Sequence, residues 1–303
     1  MEIDDIFEII FRQNAFKVSS VDDLDHLREG LEDNFDNAKF FFQHDDEFEK
    51  AIMETLYEDA LMTSFDEPMV RRALQLGYYP MAMRGRVFKS ADMDDTVLPQ
   101  KECRNFLDFV FQSYGKGIYR ATPTVRYHAK KLIIKPEDFH VSKKFKGWVS
   151  GKFSDCTIAF NRNFDLCLNE LIKAYPDTWL FPPLAGILKN IHENPDTVSV
   201  DSVELWRGNE LIAGEIGFVT KNAYASLSGF HKEDDSGTVQ MLALGKYLFN
   251  NGFAYWDLGM EIDYKYRFGA KDYDRDGQEA LYDTLLADLK KFTGREIPLA
   301  ELV

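Results

Sequence analysis

Asp257 is the side chain of this sequence that is best placed to bind a cation or to move a proton. It lies near the end of an apolar segment, residues 253–258, whose Phe, Ala, Tyr and Trp predict a buried strand. A carboxylate at the end of a strand can cap the turn that follows, or it can belong to a site, since the loops at strand ends often carry chemistry. The residue pattern alone leaves both roles open.

The motifs of the common enzyme classes are absent from the sequence. It contains no P-loop, no G-x-G-x-x-G after a predicted strand, no H-E-x-x-H and no G-x-S-x-G. Its six histidines are scattered, and Cys103, Cys156 and Cys167 lack the spacing of a metal site. We therefore expect no metal and no cofactor, and we expect the cysteines to be reduced thiols of a cytoplasmic protein.

Charge is distributed unevenly along the chain. Residues 1–60 hold 18 acidic and 5 basic residues, which account for most of the net charge of −15. The overall charge of the chain argues against a nucleic-acid partner. Residues 128–152, however, carry seven lysines and two acidic residues and therefore form a basic segment. No apolar run approaches the roughly 20 residues of a membrane span, so we expect no membrane partner.

The N-terminal part of the sequence predicts helices. Residues 1–60 show apolar residues at helical spacing, with Asp22 and Asp23 as candidate N-caps, and they predict an acidic helical extension. Further helices are expected over residues 68–77, where a glycine can end the helix, and over residues 98–118. The acidic extension either holds its charges in water or serves as a docking or shielding element.

The sequence from about residue 197 onward predicts a mixed sheet. Four strands are expected there, at residues 200–206, 210–220, 224–230 and 253–258, after two short ones at residues 132–134 and 156–160. The segment Arg207-Gly208-Asn209 is typical of a hairpin turn. Helices are expected at residues 239–249 and 276–292. Strands, a helix and a further strand in this order predict an α+β fold with helices packed on the sheet.

Five sequence blocks resemble, in order, blocks of the leucyl/phenylalanyl-tRNA–protein transferase family. Residues 73–80 (ALQLGYYP) are similar to the family's AYxxGIFPW, residues 139–144 (FHVSKK) to LHISRSL, and residues 177–180 (DTWL) to GTWIT. Residues 202–206 and 211–214 (SVELW and LIAG) are similar to SVEVW…LVGG. Asp257, followed by residues 268–270 (FGA) and Arg275, is similar to DCQ…LGA…R. The order and spacing of the blocks carry the resemblance.

This resemblance implies a cytoplasmic aminoacyltransferase that needs no cofactor and has an acetyltransferase-like (GNAT-like) C-terminal domain. Such an enzyme moves Leu, Phe or Met from aminoacyl-tRNA to the N-terminal amine of a protein that begins with Arg or Lys, and so marks that protein for degradation as an N-degron. We expect an acidic helical extension at residues 1–60, an α+β domain at residues 61–196 that is a candidate for contact with the tRNA end, and a catalytic domain at residues 197–303. We expect a monomer.

Candidate site residues follow from the resemblance and from the chain's own side chains. Asp257 is the expected catalytic residue, which would orient the acceptor amine or relay its proton while the enzyme positions the reactants. The expected substrate-binding residues are Trp179, Glu204, Glu215, Phe230 and Asp263. The expected tRNA-binding residues are Lys130, Lys131, Lys143, Lys144 and Lys146, since lysines pair with phosphates without reading sequence. Judged without the resemblance, Trp179 would be assigned to the core and the lysines to a solvated face.

Two positions depart from the family pattern. The family's ESMFS aligns with residues 227–231, so its functional Glu is Leu227 here, and the Gln of its DCQ is Gly259. Three alternatives follow from this loss of polar side chains. In the first, Glu215, Glu261 or Asp263 substitutes for the missing Glu. In the second, the same fold uses a different donor, such as an acyl-CoA, or a different acceptor. In the third, the chain is a non-catalytic binding module.

Overall fold

The computed structural model describes residues 16–39, 53–54, 56–63, 66–86, 119–175, 179–180, 182–292 and 296–303. The chain divides into two units. The smaller unit spans residues 1–73, 78–127 and 179–184, and the larger spans residues 74–77, 128–178 and 185–303. The helix expected over residues 98–118 lies outside the described residues, as does much of the expected N-terminal extension.

The smaller unit is built on a four-stranded sheet in the order β1-β2-β4-β3. Its strands are β1 (Lys17–Val18), β2 (Asp59–Met62), β3 (Tyr79–Arg86) and β4 (Tyr119–Arg126), and its described helices are α1 (Val21–Asp25), α2 (Leu27–Ala38) and most of α3 (Glu67–Gln75). β1 runs parallel to β2, whereas β4 pairs antiparallel with β2 and β3. Asp59 and Arg126, opposite each other on β2 and β4, form an ion pair whose carboxylate is fully buried.

Ser20, and not an aspartate, is the N-cap of α1. Its Oγ accepts the backbone N–H of Asp23 at 3.3 Å, while its own N–H donates to the Asp23 carboxylate at 2.8 Å. The two bonds form a capping box. The predicted N-caps Asp22 and Asp23 are therefore wrong, because the serine already satisfies the N–H of the third helical residue. The predicted end of α3 is confirmed by Gly77, whose φ is 75°.

The larger unit contains an eight-stranded sheet in the order β11-β5-β10-β9-β8-β7-β6-β12. Its strands are β5 (Lys130–Ile134), β6 (Cys156–Phe160), β7 (Val198–Arg207), β8 (Glu210–Thr220), β9 (Ala223–His231), β10 (Trp256–Asp257), β11 (Lys271–Asp274) and β12 (Ile297–Pro298). Its helices are α4 (Lys144–Ser150), α5 (Phe164–Ala174), α6 (Pro182–Glu193, whose first residues fall in the smaller unit), α7 (Ser236–Asn250) and α8 (Arg275–Asp283), with 3₁₀ helices at Asp263–Phe268 and Leu299–Leu302. Within this sheet β9 and β10 run parallel, and the other neighbouring strands are antiparallel.

The main core of the larger unit lies between the sheet and α7. Val239 and Leu242 of α7, Tyr224 of β9, Phe253 and Trp256 are each at most 1% exposed. Full burial of an apolar side chain of this size typically contributes about 1.5–3 kcal/mol. This packing fixes β10 beside β9, and with it the position of Asp257.

Most of the C-terminal elements match the sequence-based expectations, and the α+β class is confirmed. β7 and β8 are joined by a tight turn in which Gly208 has a φ of 57°, as the hairpin motif predicts. β10 is shorter than the strand expected at residues 253–258. α8 ends at Asp283, well before the expected residue 292. After the turn that follows it, the N–H of Leu286 donates to Asn222 Oδ1 at 3.0 Å and not to a carbonyl of the helix.

The division into units differs from the expected boundary near residue 197. β5 pairs with β10 and β11, and β6 pairs with β7, so both join the C-terminal sheet although the sequence grouped them with residues 61–196. Long-range strand pairing of this kind leaves no local mark in a sequence.

Candidate active site

Asp257 is held at the end of β10, between two neighbouring strands. It pairs with Ile133 of β5 on one side and with Ala225 of β9 on the other, and it is 5% exposed. One carboxylate oxygen accepts a hydrogen bond from Lys131 Nζ at 2.9 Å, and the other accepts the backbone N–H of Gly259 at 2.7 Å. A carboxylate has about four lone-pair positions, so these two bonds leave acceptor capacity for a substrate.

Gly259 forms the turn that fixes the Asp257 carboxylate. Its φ is 68°, a left-handed conformation that costs a residue with a Cβ roughly 1–2 kcal/mol. Its carbonyl oxygen accepts the N–H of Leu132 at 2.9 Å, which ties the turn to β5. The glycine at the place of the family's Gln therefore suits the backbone conformation of this turn.

Lys131 supplies the positive charge that balances the buried Asp257. Its ammonium also donates to the carbonyl oxygen of Gly77 at 2.6 Å, and the residue is 4% exposed. A buried charge without a partner costs several kcal/mol, so each member of this pair stabilises the other. The sequence grouped Lys131 with lysines for tRNA phosphates. Its position beside Asp257 does not fit that role, since its ammonium is buried.

Lys265 belongs to the same site and was missed in the sequence. It lies in the 3₁₀ helix that follows β10 and is only 7% exposed. Its ammonium donates to the carbonyl oxygens of Leu258 at 2.6 Å and Met260 at 2.9 Å. These two carbonyls flank Gly259, so Lys265 holds the turn that carries the backbone bond to Asp257.

Lys265 is also electrostatically perturbed. Burial lowers the pKa of the Lys265 ammonium to about 8, although the carboxylates of Asp257 and Glu215 act in the opposite direction. Lysines are rarely buried unless they are paired, and a perturbed buried lysine beside carboxylates is typical of functional sites. The available signal was the Tyr-Lys-Tyr segment close behind Asp257, but nothing in its spacing shows that the lysine is the buried member.

Glu215 is the centre of a second buried polar cluster, on β8. One of its oxygens accepts from Tyr224 Oη at 2.8 Å and from Ser226 Oγ at 2.7 Å, and the other accepts from Gln240 Nε2 at 3.0 Å. The indole N–H of Trp256 donates to Ser226 Oγ at 2.9 Å and so connects β10 to the cluster. Burial raises the pKa of the Glu215 carboxyl against the opposing effect of its hydrogen-bond donors.

The sheet places Glu215 and Phe230 on opposite faces. Glu215 accepts a hydrogen bond from Gln240 of α7. Phe230 instead packs over Gly214, the residue before Glu215, and a Cβ on Gly214 would lie 3.1 Å from the Phe230 ring. Side chains alternate between the faces of a strand, and neighbouring residues of β8 follow that rule. Asp257 likewise follows Trp256, which bonds the Glu215 cluster, so Asp257 points to the face that Phe230 occupies. Of these two predicted substrate-binding residues, only Phe230 shares a face with Asp257.

Glu204 and Asp263 differ from each other in burial. Glu204 is fully buried, and its oxygens accept from the N–H of Asn163, from Ser202 Oγ and from Trp206 Nε1. These bonds occupy the carboxylate and attach the start of α5 to β7, so the contacts of Glu204 are structural and do not fit its predicted contact with substrate. Asp263 is exposed at the start of the 3₁₀ helix that follows β10.

The predicted tRNA-binding residues lie in different surroundings. Lys143, Lys144 and Lys146 are exposed at the start of α4, and they form no ion pair with any residue that the structure describes. Lys130, also exposed, lies 3.5 Å from Glu261 and 3.6 Å from Asp272. Trp179 is half-buried and belongs to the smaller unit.

Leu227 lies at a β-bulge. Ile216 of β8 pairs with Ser228 and the next residue, Gly217, pairs with Ser226, so Leu227 faces no residue of β8. Bulges re-aim side chains and are frequent beside active sites. The position that aligns with the Glu of the family pattern therefore lies in an irregular backbone here, and its side chain is apolar.

Neither a metal centre nor a membrane span is found in the described part of the chain. No group of three or more His, Cys, Asp or Glu residues there could hold a metal ion. No helix among the described residues is long and apolar enough to cross a bilayer.

The topology and the position of Asp257 define the class of protein. Three antiparallel strands, β7 to β9, are followed by α7 and by a strand parallel to β9, which is the acetyltransferase-like α+β arrangement. The family model of the leucyl/phenylalanyl-tRNA protein transferases matches residues 133–282. The chain is therefore a distant homologue of the members of this family.

Individual relatives agree with that assignment. The leucyl/phenylalanyl-tRNA–protein transferase of Nitrobacter winogradskyi is 26% identical over 208 residues, which are 64% of this chain and 90% of the relative. That of Magnetococcus marinus is 22% identical over 240 residues, or 76% of this chain and 95% of the relative.

Solved structures are similar only at low scores. FemX matches with a TM-score of 0.35 and 12% identity, covering 88% of this chain and 82% of its own. L-PGS from Bacillus licheniformis matches with a TM-score of 0.29 and 11% identity, covering 44% of this chain and 46% of its own. Scores this low support no conclusion about this chain.

Proposed function

We propose that this protein is an active aminoacyltransferase, which moves Leu, Phe or Met from aminoacyl-tRNA to the N-terminal amine of a polypeptide that begins with Arg or Lys. The observation that carries the proposal is the buried Asp257, which stands at the family's Asp position and retains acceptor capacity. A reaction of this kind takes place in the cytoplasm, where charged tRNA is available.

The chemistry needs little beyond positioning. The aminoacyl ester is already activated, and an α-amine with a pKa of about 8 is partly neutral near pH 7. The amine nitrogen attacks the ester carbonyl carbon, a C–N bond forms, and the C–O bond to the ribose breaks. The proton that the amine loses ends on the ribose oxygen. In this proposal Asp257 accepts a hydrogen bond from the amine and orients it.

Lys131 and Lys265 support Asp257 without touching the substrates. Lys131 balances its charge, and Lys265 holds the carbonyls of Leu258 and Met260 on either side of the Gly259 turn. We therefore describe both lysines as positioning residues. They keep the carboxylate in one place, which is what a reaction that depends on geometry requires.

Glu215 is the carboxylate that we assign in place of the family's Glu. It is buried and bonds Ser226, the neighbour of Leu227, whereas Glu261 and Asp263 are exposed. Because donors surround its oxygens and it lies on the face opposite Asp257, Glu215 would not contact substrate. It would act as a positioning residue that holds β10 through Ser226 and Trp256.

The phosphates of the tRNA would be held by the exposed lysines at the start of α4. Lys143, Lys144 and Lys146 lack carboxylate partners among the described residues, so they can pair with phosphates. Trp179 can stack on a terminal base.

A transfer assay tests this proposal. tRNAs charged with labelled Leu, Phe or Met are incubated with the protein and with peptides that differ only in an N-terminal Arg, Lys or Glu. We expect label on the Arg and Lys peptides and none on the Glu peptide. Absence of label on every peptide, with the protein shown to be folded, would refute the proposal. The same peptides with labelled acetyl-CoA test the alternative donor.

A further inference from the structure

A strip of exposed apolar side chains follows Asp257 along the chain. Four of the seven large apolar side chains that are exposed in the described residues lie between residues 260 and 266: Met260 (47% exposed), Ile262 (38%), Tyr264 (42%) and Tyr266 (36%). We call these four residues the 260–266 strip. Single exposed apolar residues are common, but a cluster of them marks an interaction site.

The strip inverts the usual pattern of burial. Lys265 is buried while the tyrosines on either side of it are exposed. This arrangement leaves apolar surface in water and puts a charge inside, so folding alone does not account for it. Lys265 at the same time bonds the carbonyls of Leu258 and Met260, which connects the strip physically to the Asp257 turn.

The chemistry of the strip suits a cationic polypeptide. Glu261 and Asp263, both exposed, alternate with its apolar residues. Glu261 already lies 3.5 Å from Lys130 and accepts from Tyr266 Oη at 2.7 Å, but an exposed ion pair of this kind is weak and can exchange with an incoming cation. The guanidinium of Arg267 lies 5.6 Å from the centre of the Tyr264 ring, so that ring already takes part in a cation–π contact of the kind that an incoming Arg would make. The two carboxylates disfavour a phosphate backbone, and Lys143, Lys144 and Lys146, the lysines proposed to bind phosphates, lie elsewhere, at the start of α4.

We propose that the 260–266 strip binds the N-terminal segment of the acceptor polypeptide, with the carboxylates of Glu261 and Asp263 attracting its basic side chains. The inference rests on the proposed function, because it takes the acceptor to be a polypeptide with a basic first residue. The inference adds the surface of this protein that the acceptor residues after the N-terminal Arg or Lys contact. The strip begins at Met260, three residues after Asp257, where the amine reacts.

The inference is tested by measuring, with fluorescence anisotropy, the direct binding of a labelled peptide that has an N-terminal arginine. The variants are Tyr264→Ser and, because Tyr264 is partly buried, the double variant Met260→Ser with Ile262→Ser. Leu286→Ser is the matched control, since Leu286 is 67% exposed outside the strip. We expect each strip variant to weaken peptide binding about fivefold, the effect of losing roughly 1 kcal/mol of binding free energy. The control should bind like the wild type.

Three results would overturn the inference. The wild type does not bind the peptide, the strip variants bind the peptide as tightly as the wild type, or the strip variants bind charged tRNA more weakly but bind the peptide normally. The assay is independent of catalysis. If the wild type binds the peptide through the strip but transfers no amino acid, the proposed function fails and the inference stands. If transfer occurs and the strip variants bind like the wild type, the inference alone fails.

Discussion

The ammonium of Lys131 lies 2.9 Å from a carboxylate oxygen of Asp257, and side chains of both residues are less than a tenth exposed. Lys131 is on β5 and Asp257 on β10, 126 residues apart in sequence, so the pair exists only because the two strands are neighbours in the sheet. The residue expected to do the chemistry is therefore also one half of a buried structural ion pair.

Breaking this pair should destabilise the protein strongly. Lys131→Met leaves the Asp257 carboxylate buried without its partner, and we expect a loss of about 3–5 kcal/mol in the free energy of unfolding. Lys130→Met is the matched control, because Lys130 is half exposed and its ion pairs contribute at most about 1 kcal/mol. Urea denaturation of both variants measures the difference. Equal stability of Lys131→Met and the wild type would show that the pair has no stabilising role.

Lys265 should make the stability of the fold depend on pH. Its pKa falls from 10.5 to about 8 on folding, so between these values the unfolded chain binds a proton that the folded chain does not. Raising the pH through this window therefore favours the folded state. We expect the free energy of unfolding of the wild type, relative to Lys265→Met, to increase from about pH 8 upward. A difference that stays constant with pH would contradict the lowered pKa.

Gly269 should tolerate no side chain. Its φ is 92°, and a Cβ there would lie 1.8 Å from the carbonyl oxygen of Asp138. We expect Gly269→Ala to lose at least about 2 kcal/mol of stability, since both the backbone conformation and the local packing must change. In α6 a Cβ on Gly186 would meet no atom within 4 Å, so Gly186→Ala should be neutral or stabilising by up to about 1 kcal/mol. Thermal unfolding of the two variants compares them, and similar midpoints would count against this account of Gly269.

The lysines of α4 should contribute to binding of charged tRNA through its phosphates. Replacing Lys143, Lys144 and Lys146 with Gln should weaken binding and flatten its salt dependence, by about 0.7 to 0.9 in the log–log slope for each phosphate that no longer has a lysine partner. Lys173→Gln serves as the control, since Lys173 is exposed but already pairs with Glu170 at 2.7 Å. An unchanged salt slope in the triple variant would remove these lysines from the tRNA site.

The sequence predicted local features well, since their causes are local. The hairpin turn at Gly208 and the helix end at Gly77 both follow from glycine at positions of positive φ. Asp257 was singled out because its place at the end of an apolar strand and its resemblance to the family pattern can both be read from the sequence, and its catalytic role stays a prediction.

What the sequence could not predict are features that depend on strand order and on which side chain of a short segment turns inward. Lys131 and Lys130 are adjacent and of one type, yet one is buried beside Asp257 and the other is exposed, because successive residues of β5 point to opposite faces. Lys265 was missed because nothing in the Tyr-Lys-Tyr segment of its 3₁₀ helix shows which of the three side chains turns inward. Glu204 was expected to contact substrate, but its carboxylate is occupied by structural bonds from Asn163 at the start of α5 and from Ser202 and Trp206 on β7.

Single-turnover transfer of a labelled amino acid from charged tRNA to an arginine-starting peptide shows whether Asp257 orients the acceptor amine. The wild type is compared with Asp257→Asn, and with Asp257→Asn combined with Lys131→Met, which removes the charge that the first variant leaves without a partner. We expect transfer by the wild type and a loss of at least about 100-fold in both variants, including the double variant once it is shown to be folded. Transfer by the folded double variant at the rate of the wild type would contradict this role of Asp257.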